Sequence, residues 1–79
     1  MNVTVKLMAS LRHRLPVDTK GATKLDLAAG ATVATVLDQL DIAHGLVHLI
    51  MVNDVMELDR SRPLQDGDDL VIIPPVAGG

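Results

Sequence analysis

Four stretches of this 79-residue sequence hold residues whose types and spacing could do chemistry. His44 and His48 stand four apart, which on a helix would set two imidazoles on one face as metal ligands. Gly45 between them, the strand-like run that follows and the lack of a third ligand nearby argue against a metal site. Arg12, His13 and Arg14 form a basic run, but neither Ser10 nor Ser61 sits in a nucleophile motif. The run therefore reads as a solvated basic patch, with an interface rim as the second reading. "DGDD" lacks the spacing of a calcium loop and reads as a turn. The fourth stretch is the end, "PPVAGG", which follows the apolar "DLVII". Two closing glycines arise by chance in about one chain in two hundred.

Composition narrows what such residues could serve. Apolar residues make up 48% of the chain and charged residues 22%, a globular balance in one domain spanning residues 1–79. There are no aromatic residues, so Leu, Val, Ile, Met and Ala must fill the core, and no stacking platform exists for bases. With a net charge of −3, this argues against a nucleic-acid partner. No cysteine is present, which removes disulfides, thiolate metal sites and a catalytic thiol. The start alternates apolar with polar residues, and no segment approaches the length of a membrane span. The expectation is a cytoplasmic protein with no membrane partner.

The elements that must position these residues follow from periodicity. In "NVTVKL", Val3, Val5 and Leu7 share one face, the two-residue period of a half-buried strand. "TKLDL" resumes that period, with Leu25 and Leu27 inward, and should form a hairpin with the first strand. Thr32 is placed to cap a helix whose stripe is Val33, Val36, Leu37 and Leu40 and which ends by Gly45. "LVHLIMV" reads as an interior strand. Asn53 and Asp54 suit a turn into a short strand near Val55 to Leu58. "DRSRP" and "QDGDD" read as solvated turns with Leu64 anchored in the core between them. Leu70 to Ile73 forms the last strand. A helix across one face of a mixed sheet of four to five strands is an α+β layout.

That order resembles the ubiquitin-like β-grasp fold. The end of the chain is similar to the small subunit of molybdopterin synthase (MoaD) and its sulfur-carrier relatives, including ThiS of thiamine synthesis. The likeness is sharp from Pro63 to Gly79, where "PL", "DGD" and "PPVAGG" match the family pattern, and looser at "ASLR" and "GATV". Asn53-Asp54 stands where the family often has Asn-Gly.

The resemblance implies a role for the tail, residues 74–79, as an extended, flexible functional segment. The Gly79 carboxylate would be adenylated by an ATP-dependent activating enzyme of the MoeB/ThiF type. It would then take sulfur from a persulfide donor to become a thiocarboxylate. Adenylation comes first because a carboxylate is a poor electrophile and the adenylate supplies a leaving group. Gly78 and Gly79, lacking Cβ, would let the tail thread a narrow channel. The sulfur would pass to a pterin precursor on a MoaE-type large subunit during molybdenum or tungsten cofactor synthesis. No cofactor would be bound permanently, ATP being used by the activating partner, and the chain would be a co-substrate rather than an enzyme.

The resemblance implies, by the ubiquitin-like alternation counted back from the glycines, that Leu70 and Ile72 face the helix and Val71 and Ile73 the opposite face, beside Leu49 and Met51. This second apolar face, with Pro74, Pro75, Val76, Ala77 and Arg12, forms the candidate partner surface. Three rivals remain open: a ThiS-type carrier for thiazole synthesis, a protein modifier conjugated through Gly79, and a plain β-grasp binding module.

Overall fold

A computed structural model describes residues 1–9, 11 and 21–75. The first strand, β1 (Asn2–Leu7), pairs antiparallel with β2 (Ala22–Asp26). Helix α1 (Val33–Gln39) follows, then a 3-10 turn at His44–Leu46, β3 (Leu49–Val52), β4 (Val55–Met56) and β5 (Asp69–Ile73). The strands form one mixed sheet in the order β2-β1-β5-β3-β4, with β1 and β5 parallel and every other pair antiparallel. One helix on a five-stranded mixed sheet is the ubiquitin-like β-grasp arrangement. Its last strand lies at the centre.

The two-residue period decides which face each strand buries. Val3, Val5 and Leu7 of β1, Ile50 and Val52 of β3, and Leu70 and Ile72 of β5 are all buried. They meet Val33, Val36 and Leu37 of α1, with Leu11, Leu27, Ile42, Val47 and Leu64 closing the core's margins. A seven-residue helix is too short to persist alone, so α1 owes its existence to this apolar stripe and to its ends. At its start the Thr32 hydroxyl accepts from the Thr35 N–H at 3.3 Å, while the Thr35 hydroxyl accepts from the Thr32 N–H at 3.0 Å. This reciprocal pair satisfies donors that the first turn leaves unpartnered.

The helix ends earlier than the sequence implied, at Gln39 rather than near Gly45. Asp41 adopts a left-handed conformation, φ 58°, and its N–H donates to Asp38 while that of Ile42 donates back to Leu37. These two bonds make a Schellman ending with aspartate where glycine is commonest, and the buried Ile42 seals it. Gly45 lies instead in the 3-10 turn. That turn shortens the expected "LVHLIMV" strand to Leu49–Val52, and β4 stops at Met56 instead of reaching Leu58.

The loop after β4 is lashed to the helix side. The Arg60 carbonyl accepts from the Ala34 N–H, and the Arg60 guanidinium donates to the carbonyls of His44 and Val47 at 3.0 Å each. Leu64 is buried between the two turns, as expected. Asp68 is not solvated as "QDGDD" implied: it is 7% exposed. One carboxylate oxygen accepts from the Asn53 amide at 2.9 Å and the other from the Gln65 N–H at 2.8 Å. The Asn53 side-chain oxygen Oδ1 in turn accepts from the Asp69 N–H. Asp68 thus ties the β3–β4 turn to the start of β5, and these bonds offset its desolvation. Among the described residues no helix is long and apolar enough to cross a membrane.

Candidate functional site

The helix covers one face of the sheet, and the opposite face carries the expected surface. Residues paired across a ladder share a face, so register alone assembles it. Lys6 of β1 pairs with Val71 of β5, Val71 with Met51 of β3, and Met51 with Met56 of β4. In the next row Ile73 pairs with Leu49. Val71, Ile73, Leu49 and Met51 are all half-buried on this face, the phase that the resemblance implied.

β5 carries the chain toward the end of the molecule. Its final carbonyls are still paired inside the sheet: Ile73 accepts from His48 at 2.9 Å, and Ile72 from Met8 at 3.1 Å. Pro74 is buried and Pro75 exposed, so the packed body reaches one residue into the segment expected to be tail. A proline fixes φ and offers no N–H, so pairing cannot continue by donation from either residue and the chain is held extended as it leaves. Arg12, Val76, Ala77, Gly78 and Gly79 lie outside the described residues.

Sequence reasoning missed the outer part of the apolar surface. Met56 is 56% exposed, and Met8, one residue beyond β1, is 37% exposed; Val55, 65% exposed, pairs with the buried Val52 and so lies on the helix side instead. The signal for Met56 was available: a two-residue turn at Asn53-Asp54 places it opposite Met51.

Ser10, His13 and Arg14 also lie outside the described residues, and the polar candidates among the described residues do not converge. His44 Nε2 lies 3.1 Å from Asp38 Oδ1, beside an open hollow lined by Asp38, Asp41, Ile42, Ala43 and His44. His48 uses its backbone to pair with β5. Among the described residues no three His, Cys, Asp or Glu side chains gather where a metal ion could be held. The Ser61 hydroxyl and then the Ser61 N–H donate to the Asp59 carboxylate and hold its pKa below the ordinary value.

A central β5 parallel to β1, with a helix on one face of the sheet and an apolar row on the other, defines a ubiquitin-like β-grasp domain. The chain belongs to the ThiS family, whose model matches residues 5–79. No curated protein matches the chain. Among solved structures it is similar to SAMP1 from Haloferax volcanii, with 25% identity, full coverage of both chains and a TM-score of 0.75. The H. volcanii small archaeal modifier protein 1 is 21% identical over 95% of this chain and 98% of that one, with a TM-score of 0.72. The complex of subunits 1 and 2 of molybdopterin-converting factor from Helicobacter pylori 26695 contains a chain 24% identical, fully covered on both sides, with a TM-score of 0.65. The last two likenesses are of fold.

Proposed function

We propose that this protein is a sulfur carrier of the molybdopterin synthase small-subunit type, working through the Gly79 carboxylate. An adenylating enzyme of the MoeB/ThiF type joins that carboxylate to AMP from ATP, releasing pyrophosphate. A persulfide donor then attacks the acyl carbon and AMP leaves. Reductive cleavage of the resulting acyl disulfide by a thiol leaves the thiocarboxylate. A MoaE-type large subunit next positions a pterin precursor to accept that sulfur. The carrier supplies the acyl group, and its partners supply the catalysis.

The observation that carries this reading is the placement of β5. The strand that leads to the glycines is clamped between β1 and β3, and its outward residues Val71 and Ile73 join Met51 and Leu49 in an apolar face. A partner that docks on this face holds a rigid body from whose central strand the tail departs. Docking and delivery share one element. The chain in the H. pylori complex supports a large-subunit partner by analogy of fold.

The test is intact-mass analysis after incubation with the adenylating enzyme, ATP and a persulfide donor. The expected product is heavier by about 16 Da, sulfur having replaced one carboxylate oxygen. Oxidation of Met1, Met8, Met51 or Met56 adds nearly the same mass, so fragmentation must place the change on the C-terminal peptide. Deleting Gly79 should eliminate it. A second reading, conjugation to lysines through Gly79, draws support from the small-modifier neighbours. Full-length protein that never carries sulfur, but is found linked through Gly79 to other proteins, would favour that reading.

A further inference from the structure

The chain contains four methionines and no cysteine, tryptophan or tyrosine, so a thioether is the first group a peroxide meets. Their settings differ. Met1 and Met51 are half-buried and Met8 is 37% exposed, while Met56 at 56% is the most open. Met56 also stands directly across the β3–β4 ladder from Met51, which stands across from Val71. The most oxidisable position is therefore contiguous with the apolar row that faces partners.

We propose that Met56 is a site of reversible oxidation by peroxide, and that its sulfoxide closes the apolar face to partner docking. The proposal rests on the docking reading given above. In the forward step a sulfur lone pair attacks one peroxide oxygen, the O–O bond breaks, and the second oxygen leaves as water with both protons. Sulfur gives up two electrons and the peroxide gains them. In reversal a dithiol supplies two electrons and two protons, becomes a disulfide, and the sulfoxide oxygen leaves as water. With no cysteine in this chain, that dithiol belongs to a separate reductase.

The consequence follows from what the two forms ask of an interface. A thioether packs adaptably against apolar surface, whereas a sulfoxide carries a strongly accepting oxygen that needs a donor when it is dried. At Met56 that oxygen would enter the row shared with Met51 and Val71 on docking. The fold should not register the change, because Met56 lies outside the core.

The test uses the carboxylate form, so that no sulfur on the tail competes for peroxide. The protein is treated with limiting hydrogen peroxide, mapped by peptide mass spectrometry, and titrated calorimetrically into its organism's adenylating enzyme. Met56 should be oxidised ahead of the other three, with far-UV circular dichroism unchanged and affinity lowered about tenfold. Methionine sulfoxide reductase with a dithiol should restore it. The Met56→Leu variant should show the same affinity before and after the same peroxide dose. Oxidation of Met8 or Met51 ahead of Met56, a Met56 sulfoxide with unaltered affinity, loss of secondary structure, or equal peroxide sensitivity in Met56→Leu would each overturn the proposal. Untreated wild type that fails to bind would sink the docking reading itself, and this proposal with it.

Discussion

Asp54 holds φ at 67° and Asn53 at 52°, the left-handed pair that a two-residue type I′ hairpin turn demands. Asn53 repays its strain through its side chain, bonded to Asp68 and Asp69, whereas Asp54 is exposed. Replacing Asp54 by glycine removes a backbone penalty and should raise stability by about 0.5–1 kcal/mol in urea unfolding. A lowered midpoint would show that Asp54 stabilises the turn by other means. Asp59 offers a second test at this scale. Its pKa is held down in the fold by Ser61, so its contribution is present above the ordinary aspartate value of about 3.9 and fades as pH falls through the lower folded value. In Ser61→Ala the Asp59 carboxyl should titrate at higher pH than in wild type, followed by carbon-13 NMR. Coincident midpoints would refute the assignment.

Helix α1 is where local signals and tertiary burial can be separated. Thr32→Ala deletes one half of the reciprocal cap with Thr35 and should cost about 1 kcal/mol, read as a lower urea midpoint with an unchanged slope. The cap and the stripe of Val33, Val36 and Leu37 were legible in the sequence, because a hydroxyl before a three-and-four apolar spacing has few other readings. The inward and outward phases of β1 were legible from its apolar–polar alternation, whereas β5, apolar on both faces, took its phase from the family resemblance. What was hidden lies where structure is set by distant partners. The helix end depends on Asp41 taking a glycine-like conformation, and nothing in "DQLDIAHG" favours Asp41 over Gly45 for that place. The burial of Asp68 depends on Asn53, fifteen residues away, and a run of acidic turn residues reads as solvated until its partner is known. At the candidate site the apolar row followed once the resemblance set the phase of β5. Its extension over Met56 was readable as well, because a two-residue turn at Asn53-Asp54 sets Met56 across from Met51.

At the scale of the whole molecule, β5 serves the core with one face and, in the function proposed here, a partner with the other. The two duties can be separated by substitution because the strand's phase assigns each residue to one of them. Leu70 and Ile72 are buried against the helix, so Leu70→Asp with Ile72→Asp places two carboxylates in a dry interior and should abolish folding. Val71 and Ile73 are only half-buried on the far face. An aspartate at position 71 would stand across the parallel ladder from Lys6, an opposite-charge pair that favours the new side chain. The double variant Val71→Asp, Ile73→Asp should therefore keep native circular dichroism, at a cost of about 1–3 kcal/mol in apolar contact and strand propensity. Binding to the adenylating enzyme should fall below detection, because two charges would have to be buried on docking without partners. With binding lost, the same variant should gain no sulfur at Gly79 even though its tail is intact. If it unfolds as the inward pair does, the far face is structural and the docking surface must be sought elsewhere. If it folds and is still charged with sulfur at the wild-type rate, the tail is recognised without the sheet.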